Sequence, residues 1–125
     1  MDTNELLKLY AAGKRDFPGE KLSNADLGGE NLSEINLSCS IMWAINLSGA
    51  VLKGANLRLT SLAWANLSGA NLSGADLSQA DLSKANLSGA DLSRANLSGT
   101  KLNQANLTGA IMPDGIAPYS LSLNF

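Results

Sequence analysis

The sequence repeats itself every five residues from residue 15 to residue 114. This segment divides into 20 consecutive quintets without an insertion. The third position of each quintet, numbered 17, 22, 27 and so on to 112, is Leu in 17 quintets, Phe in one and Met in two. The first position is Ala in 12 quintets and the second is Asn or Asp in 14, while Ser and Gly are commonest at the fourth and fifth. Such regular self-similarity indicates a repeat architecture.

A five-residue period fits neither an α-helix nor a flat β-strand. On a helix, five residues advance by about 500°, so successive leucines lie about 140° apart and form no apolar face. On a strand, an odd period sends successive leucines to opposite faces. A backbone that bends by about a right angle at each quintet points every first and third side chain at one axis, and Gly, Asn, Asp and Ser are typical of such bends. Four quintets then close a square coil, so the 20 quintets of residues 15–114 predict about five coils.

The pattern is clearest in residues 65–74, ANLSGANLSG. Here the sequence resembles the pentapeptide-repeat family, whose repeat is A(D/N)LXX, and the opening NELLKLYAAGKRDF is similar to short stand-alone cyanobacterial members. The resemblance implies an all-β fold, a right-handed quadrilateral parallel β-helix with the first and third positions inside. A disordered low-complexity tract is the alternative, but disordered sequences rarely keep a bulky apolar residue in strict register.

Residues 1–14 are predicted to form a capping helix over the first coil. Asp2 and Glu5 have the spacing of a capping box, and Gly13 fits a helix end, so the helix is expected over residues 3–12. Because a stack of parallel coils exposes unpaired backbone groups at its ends, a lid is the favoured role. A partner-binding amphipathic helix is the alternative.

The first coil departs from the repeat by placing charges at first positions. These positions hold Arg15, Glu20 and Glu30, which the repeat geometry directs towards the axis. Buried charges persist only when they are paired and hydrogen-bonded. Two hypotheses follow: either Arg15 bridges one or both glutamates beneath the helix, or the first coil is splayed and the charges reach water.

Residues 115–125 follow the repeat and show a different period. Tyr119, Leu121, Leu123 and Phe125 alternate with polar residues, which is typical of a half-buried strand. This segment either covers the last coil or pairs across a twofold axis to form a homodimer. The four apolar residues are therefore the candidate cap or dimerisation site.

The composition argues against an enzyme. The chain has no histidine, a single cysteine, Cys39, and a net charge of −2. The serines have no base to activate them, and Asp interchanges with Asn at the second position, which indicates hydrogen bonding instead of catalysis or metal binding. We therefore expect no catalytic residues, no metal, no cofactor and no nucleic-acid partner. No apolar run approaches the roughly 18 residues of a membrane span, so a cytoplasmic protein without a membrane partner is expected.

The face made by the quintets that begin at residues 20, 40, 60, 80 and 100 breaks the repeat most strongly. The geometry directs Ile41, Trp43 and Trp64 outwards on this face, with Arg58 and Leu59 at its corner. Exposed tryptophan flanked by arginine and aliphatic residues is typical of a protein-binding hot spot. These five residues are the candidate partner-binding site. The alternative is that the tryptophans pack on each other and on Arg58.

The leading hypothesis is a non-enzymatic protein–protein interaction module that presents this face of a rigid solenoid to an unknown protein partner. The resemblance implies a second hypothesis, because some pentapeptide-repeat proteins mimic duplex DNA and bind gyrase. Duplex DNA carries one negative charge per about 1.7 Å, so a rod of about 24 Å needs on the order of 14. Residues 15–114 contain nine acids and seven bases, which disfavours mimicry. A structural protein that only dimerises through residues 115–125 is the third hypothesis.

Overall fold

A computed structural model of the chain describes residues 1–116, and within them the backbone bends at every quintet. In the third coil, the amide of Ala65 donates to the carbonyl of Leu62 at 3.1 Å and closes a four-residue turn. The fifth residue of the quintet, Trp64, has a φ of 64°. A positive φ at the third residue of a turn is what a type II turn requires, which explains why glycine is commonest at the fifth position.

The second residue of the quintet stabilises the bend through its side chain. The Oδ1 atom of Asn66 accepts hydrogen bonds from the amide of Ser68 at 3.0 Å and from its hydroxyl at 2.7 Å. Asp76 makes the same pair of contacts with Ser78, at 3.0 and 2.6 Å. This is an Asx turn, in which Asn and Asp serve equally well because only an acceptor oxygen is needed. The prediction that these residues act by hydrogen bonding is confirmed.

Parallel β-bridges stack one coil on the next. Within residues 1–116, sixteen bridges each join two residues that are twenty apart, from Asp16–Asn36 to Asp91–Ile111. Each bridge rests on backbone hydrogen bonds such as Asn66 N to Ile45 O at 2.9 Å. One turn of the chain therefore comprises four quintets, as predicted. The coils are numbered from the first, residues 15–34. The total of about five coils stays a prediction.

The interior of the stack contains the first- and third-position side chains. Leu62 and its equivalents from Phe17 to Leu92 are almost fully buried, and burying a leucine contributes about 1.5–3 kcal/mol. Alanine at the first position keeps the interior narrow. Thr60 and Thr100 replace alanine there, and their hydroxyls donate to the carbonyls of Leu57 at 2.8 Å and Leu77 at 2.7 Å. These buried hydroxyls are tolerated because they are hydrogen-bonded.

Helix α1, Thr3–Ala11, covers the start of the stack. The side chain of Asp2 accepts a hydrogen bond from the amide of Glu5 at 3.1 Å, as the capping-box spacing predicts. Leu6 is completely buried in the core of the first coil, and the hydroxyl of Tyr10 donates to the carbonyl of Ser33 at 2.7 Å. The predicted capping helix is confirmed, ending one residue earlier than expected. The division into residues 1–14, 15–114 and 115–125 stays a prediction, and Tyr119, Leu121, Leu123 and Phe125 lie outside the described residues.

The predicted bridge from Arg15 to the glutamates of the first coil is wrong. Within the described part of the chain, Arg15 forms no ion pair with Glu20 or Glu30. Its exposed guanidinium lies 3.7 Å from the centre of the Tyr10 ring and donates to the carbonyls of Tyr10 and Lys14 at 2.9 and 3.0 Å. At the end of the stack an arginine can reach water and the carbonyls at the helix C-terminus, which avoids the cost of burying its charge. The alternative hypothesis, in which the charge reaches water, holds for Arg15.

Candidate protein-binding face

We name the face that contains both tryptophans of the chain the tryptophan face. It consists of the quintets that begin at residues 20, 40, 60, 80 and 100. Its second-position residues are joined by parallel bridges that run from Lys21 to Ile41, Ser61, Asp81 and Lys101. The outward side chains therefore form three straight columns, one each for the second, fourth and fifth positions of the quintets. Because every coil is hydrogen-bonded to the next, the columns are held on a rigid surface.

Four large apolar side chains are exposed on the tryptophan face or at its corner. The exposed fractions are 49% for Trp43, 64% for Trp64, 42% for Ile41 and 46% for Leu59. All four belong to the second and third coils. They are directed outwards as the repeat geometry predicts, and together they form an apolar patch. Large exposed apolar side chains grouped on neighbouring coils are typical of an interaction site, although the binding role itself stays a prediction.

Arg58, the fifth predicted site residue, is turned along the neighbouring face. Its Nε atom donates to the hydroxyl of Ser78 at 3.1 Å. The cation that contacts a tryptophan is Lys84, whose Nζ atom lies 4.7 Å from the centre of the Trp64 ring. The alternative in which the tryptophans pack on Arg58 does not describe Trp64, which contacts Lys84 instead. The signal for this pair was present in the sequence, because Trp64 and Lys84 are twenty residues apart and occupy the same column.

Trp64 occupies a backbone position that does not favour a bulky residue. Its φ of 64° lies in the left-handed region, where a residue with a Cβ costs roughly 1–2 kcal/mol relative to the right-handed conformation. Trp43, at the fourth position of its quintet, is not among the residues with positive φ in the described chain. Nine other non-glycine residues in residues 1–116 have a similar positive φ, so this strain belongs to the fifth position of the repeat and not to Trp64 alone.

Charged residues surround the apolar patch along the second and fifth columns. Lys21 lies one coil before it, and Asp81 and Lys84 lie one coil beyond it. Hydrogen bonding from Ser83 lowers the pKa of Asp81; partial burial opposes this effect, and the ammonium of Lys101 adds to it. Asp81 is therefore ionised at neutral pH, so the face carries charges of both signs.

The rest of the described surface gives no sign of a catalytic or small-molecule site. Residues 1–116 contain no pocket and no group of three or more side chains that could hold a metal ion. None of the helices described there is long and apolar enough to cross a membrane. Small-molecule sites are concave, and residues 1–116 show no such concavity.

Comparison with known proteins agrees with this architecture. The family model for pentapeptide repeats matches eight copies, over residues 21–54, 45–83 and 75–112. The crystal structure of a pentapeptide repeat protein from the Arabidopsis thaliana thylakoid lumen is 32% identical, with a TM-score of 0.74, and the match covers 88% of this chain and 74% of that one. No curated protein sequence matches significantly.

Two cyanobacterial pentapeptide repeat proteins of known structure are also similar in sequence. The one from Nostoc PCC 7120 is 31% identical over 97% of this chain and 93% of its own, with a TM-score of 0.48. The one from Cyanothece 51142 is 30% identical over 88% of this chain and 98% of its own, with a TM-score of 0.42. Because the family model matches the repeats over most of its length, the chain belongs to the pentapeptide-repeat family, whose proteins form right-handed quadrilateral β-helices.

Proposed function

We propose that this protein is a non-enzymatic protein–protein interaction module whose tryptophan face binds a protein partner. The observation that carries the proposal is the exposure of both tryptophans, Trp43 and Trp64, on adjacent coils of one face. Tryptophan is among the residues most enriched in binding hot spots, since burying an indole removes a large apolar area from water. An exposed indole is the kind of group from which a partner gains most.

The rigidity of the scaffold supports this role. Each coil is tied to the next by backbone hydrogen bonds, for example Leu62 N to Asp81 O at 2.8 Å and Asp81 N to Thr60 O at 2.9 Å. A surface that is already ordered loses little conformational entropy when it binds. Members of the family are generally structural or interaction modules. We also propose a cytoplasmic location, with which the exposed free thiol of Cys39 is compatible.

DNA mimicry is less well supported than protein binding through the tryptophan face. Nine acids against seven bases in residues 15–114 fall far short of the charge of a duplex. Five of the nine acids lie in the first coil, residues 15–34, so the negative charge is concentrated at one end. If the protein inhibited gyrase supercoiling at a stoichiometric concentration, DNA mimicry would become the better supported of the two functions.

The test is affinity capture from the native host with matched baits. We expect the double variant Trp43→Ser/Trp64→Ser to lose the partner that the wild-type chain retains, while its circular dichroism and thermal unfolding stay close to wild type. Ile111→Asn is the control, because it removes an apolar side chain that is 58% exposed on a different face and restores the residue usual in the repeat. Equal recovery with the wild type and the double variant would refute the proposal.

A further inference from the structure

The outward columns of the tryptophan face pair large side chains with small ones. In the fourth-position column, Trp43 of the second coil is followed by Ala63 of the third coil. In the fifth-position column the order is reversed, because Ala44 of the second coil is followed by Trp64 of the third. Each indole therefore stands beside a methyl group on the neighbouring coil, about 4.8 Å along the stack.

This arrangement is complementary to itself under a twofold rotation. Two copies of the chain face each other across a plane, and the twofold axis that relates them lies in this plane. The axis runs perpendicular to the stack and passes between the second and third coils. The rotation keeps each column opposite itself and exchanges the second coil with the third. Trp43 of one copy then faces Ala63 of the other, and Trp64 faces Ala44. Such an isologous contact is the usual way in which a single patch forms a closed dimer.

The same rotation brings opposite charges together. It exchanges the first coil with the fourth, so Lys21 of each copy faces Asp81 of the other in the second-position column. Like charges would repel in the nearest alternative alignment, because an axis through the third coil places Lys21 opposite Lys101. An axis through the second coil places Trp43 against Trp43. Among these three antiparallel alignments, charge and size complementarity therefore favour the first.

We propose that the partner of the tryptophan face is a second copy of this chain, docked with its coils in the opposite order and Lys21 paired with Asp81. This inference rests on the proposed function and names the partner. The molecule exposes 6026 Å² in total, so one of four faces offers at most about 1,500 Å², compared with about 800 Å² per partner in an interface of standard size. One face is therefore large enough for a dimer.

Charge reversal gives a test in which two variants that each dimerise weakly should form a dimer when they are mixed. Sedimentation equilibrium of the full chain over a concentration series should give a dimer for the wild type. Lys21→Asp alone places two acids opposite each other, and Asp81→Lys alone places two bases opposite each other, so each should weaken the dimer about tenfold or more. An equimolar mixture should restore a heterodimer, visible by native mass spectrometry, since both contacts then pair opposite charges.

The controls separate this effect from general changes in charge or stability. Lys53→Asp makes the same charge change at an exposed residue on another face and should leave the dimer intact. Lysine is compatible with the second-position column, because Lys21 and Lys101 already occupy it. Thermal unfolding monitored by circular dichroism verifies that each variant is folded. Alkylation of Cys39, exposed at the edge of the patch, should slow as the wild-type protein dimerises.

The dimer would be overturned by a wild-type chain that is monomeric throughout, by a dimer that both charge variants retain, or by a mixture that fails to recover it. A dimer that is lost only on deletion of residues 117–125 would assign self-association to the C-terminal segment and would also overturn it. None of these results affects the capture experiment with Trp43→Ser/Trp64→Ser, so failure of the dimer and failure of the proposed function are distinguishable.

Discussion

The ammonium nitrogen of Lys84 lies 4.7 Å from the centre of the Trp64 ring, one coil further along the same column. This contact shields one side of an indole that is 64% exposed overall. Cation–π contacts at exposed sites contribute about 0.5–1 kcal/mol. The pair therefore orients Trp64 without burying it.

Removing this cation should make Trp64 more accessible to solvent. In a Trp43→Phe background the fluorescence reports on Trp64 alone, because the chain has two tryptophans. At a concentration at which the chain is monomeric, we expect Lys84→Ala to increase acrylamide quenching of Trp64, while Lys101→Ala, which removes a lysine from another column of the face, should not. Equal quenching in the Lys84→Ala variant and its background would show that the contact does not persist in solution.

Stability should depend on the inward leucines of the coils and not on the exposed indoles. Leu62 is fully buried and Trp43 is about half exposed. We expect Leu62→Ala to lower the free energy of unfolding by about 2–5 kcal/mol, because it leaves a cavity in a narrow core. At a concentration at which the chain is monomeric, Trp43→Ser should change it by about 0.5 kcal/mol or less. Urea unfolding of the two variants measures both values, and a larger loss for Trp43→Ser would mean that the patch is structural.

Stability in acid should depend on Asp91. The hydroxyl and the amide of Ser93 donate to its Oδ1 atom at 2.7 and 2.9 Å, and this hydrogen bonding lowers the pKa of Asp91 in the folded chain. A carboxyl group whose pKa is lowered by folding contributes stability above its unfolded pKa of about 3.9. That contribution is lost as the pH falls through the lower folded value.

We therefore expect Asp91→Asn to reduce the loss of thermal stability between about pH 5 and about pH 2, because Asn keeps the acceptor oxygen but does not titrate in this range. Ser93→Ala should act in the same direction, because it removes the first cause of the shift. Thermal unfolding across this range is the measurement. An unchanged acid profile in both variants would contradict the assignment.

Arg15 should stabilise the helix lid independently of the glutamates. Its guanidinium contacts the ring and the carbonyl of Tyr10, and Glu20 lies beside the N-terminal ammonium at 3.3 Å. We expect Arg15→Met to lower the free energy of unfolding by about 0.5–1.5 kcal/mol. In a double-mutant cycle with Glu20→Gln the two effects should add to within about 0.5 kcal/mol. A larger coupling energy would restore the bridge hypothesis.

The Asx turn should explain why either Asn or Asp can occupy the second position of the repeat. The Oδ1 atom of Asn66 accepts two hydrogen bonds from Ser68. Asn66→Ala should cost about 1 kcal/mol of unfolding free energy, whereas Asn66→Asp keeps the acceptor and should cost less at neutral pH. Chemical denaturation compares the two variants. An equal loss in both would mean that the amide nitrogen, and not the acceptor oxygen, matters.

The features that depend on neighbours a few residues away could be predicted from the amino-acid sequence. The turn at Leu62–Ala65, the Asx bond of Asn66 and the cap formed by Asp2 and Glu5 each join residues no more than three positions apart. The twenty-residue coil followed as well, because a five-residue period buries its leucines only if the backbone bends at each quintet. The geometry of the coil in turn predicted that Trp43 and Trp64 point outwards.

The contact partners of the charged surface side chains follow from the three-dimensional fold and not from the repeat. Arg15 occupies an inward position of the repeat, yet it reaches Tyr10 because the end of the stack leaves it a route to water. Arg58 was the expected neighbour of the tryptophans, yet it donates to Ser78, while Lys84 contacts Trp64. Long charged side chains have several partners within reach, and the free-energy differences between those partners are small. Their choice depends on how the coils and the helix are placed in space, which a local pattern of residues does not encode.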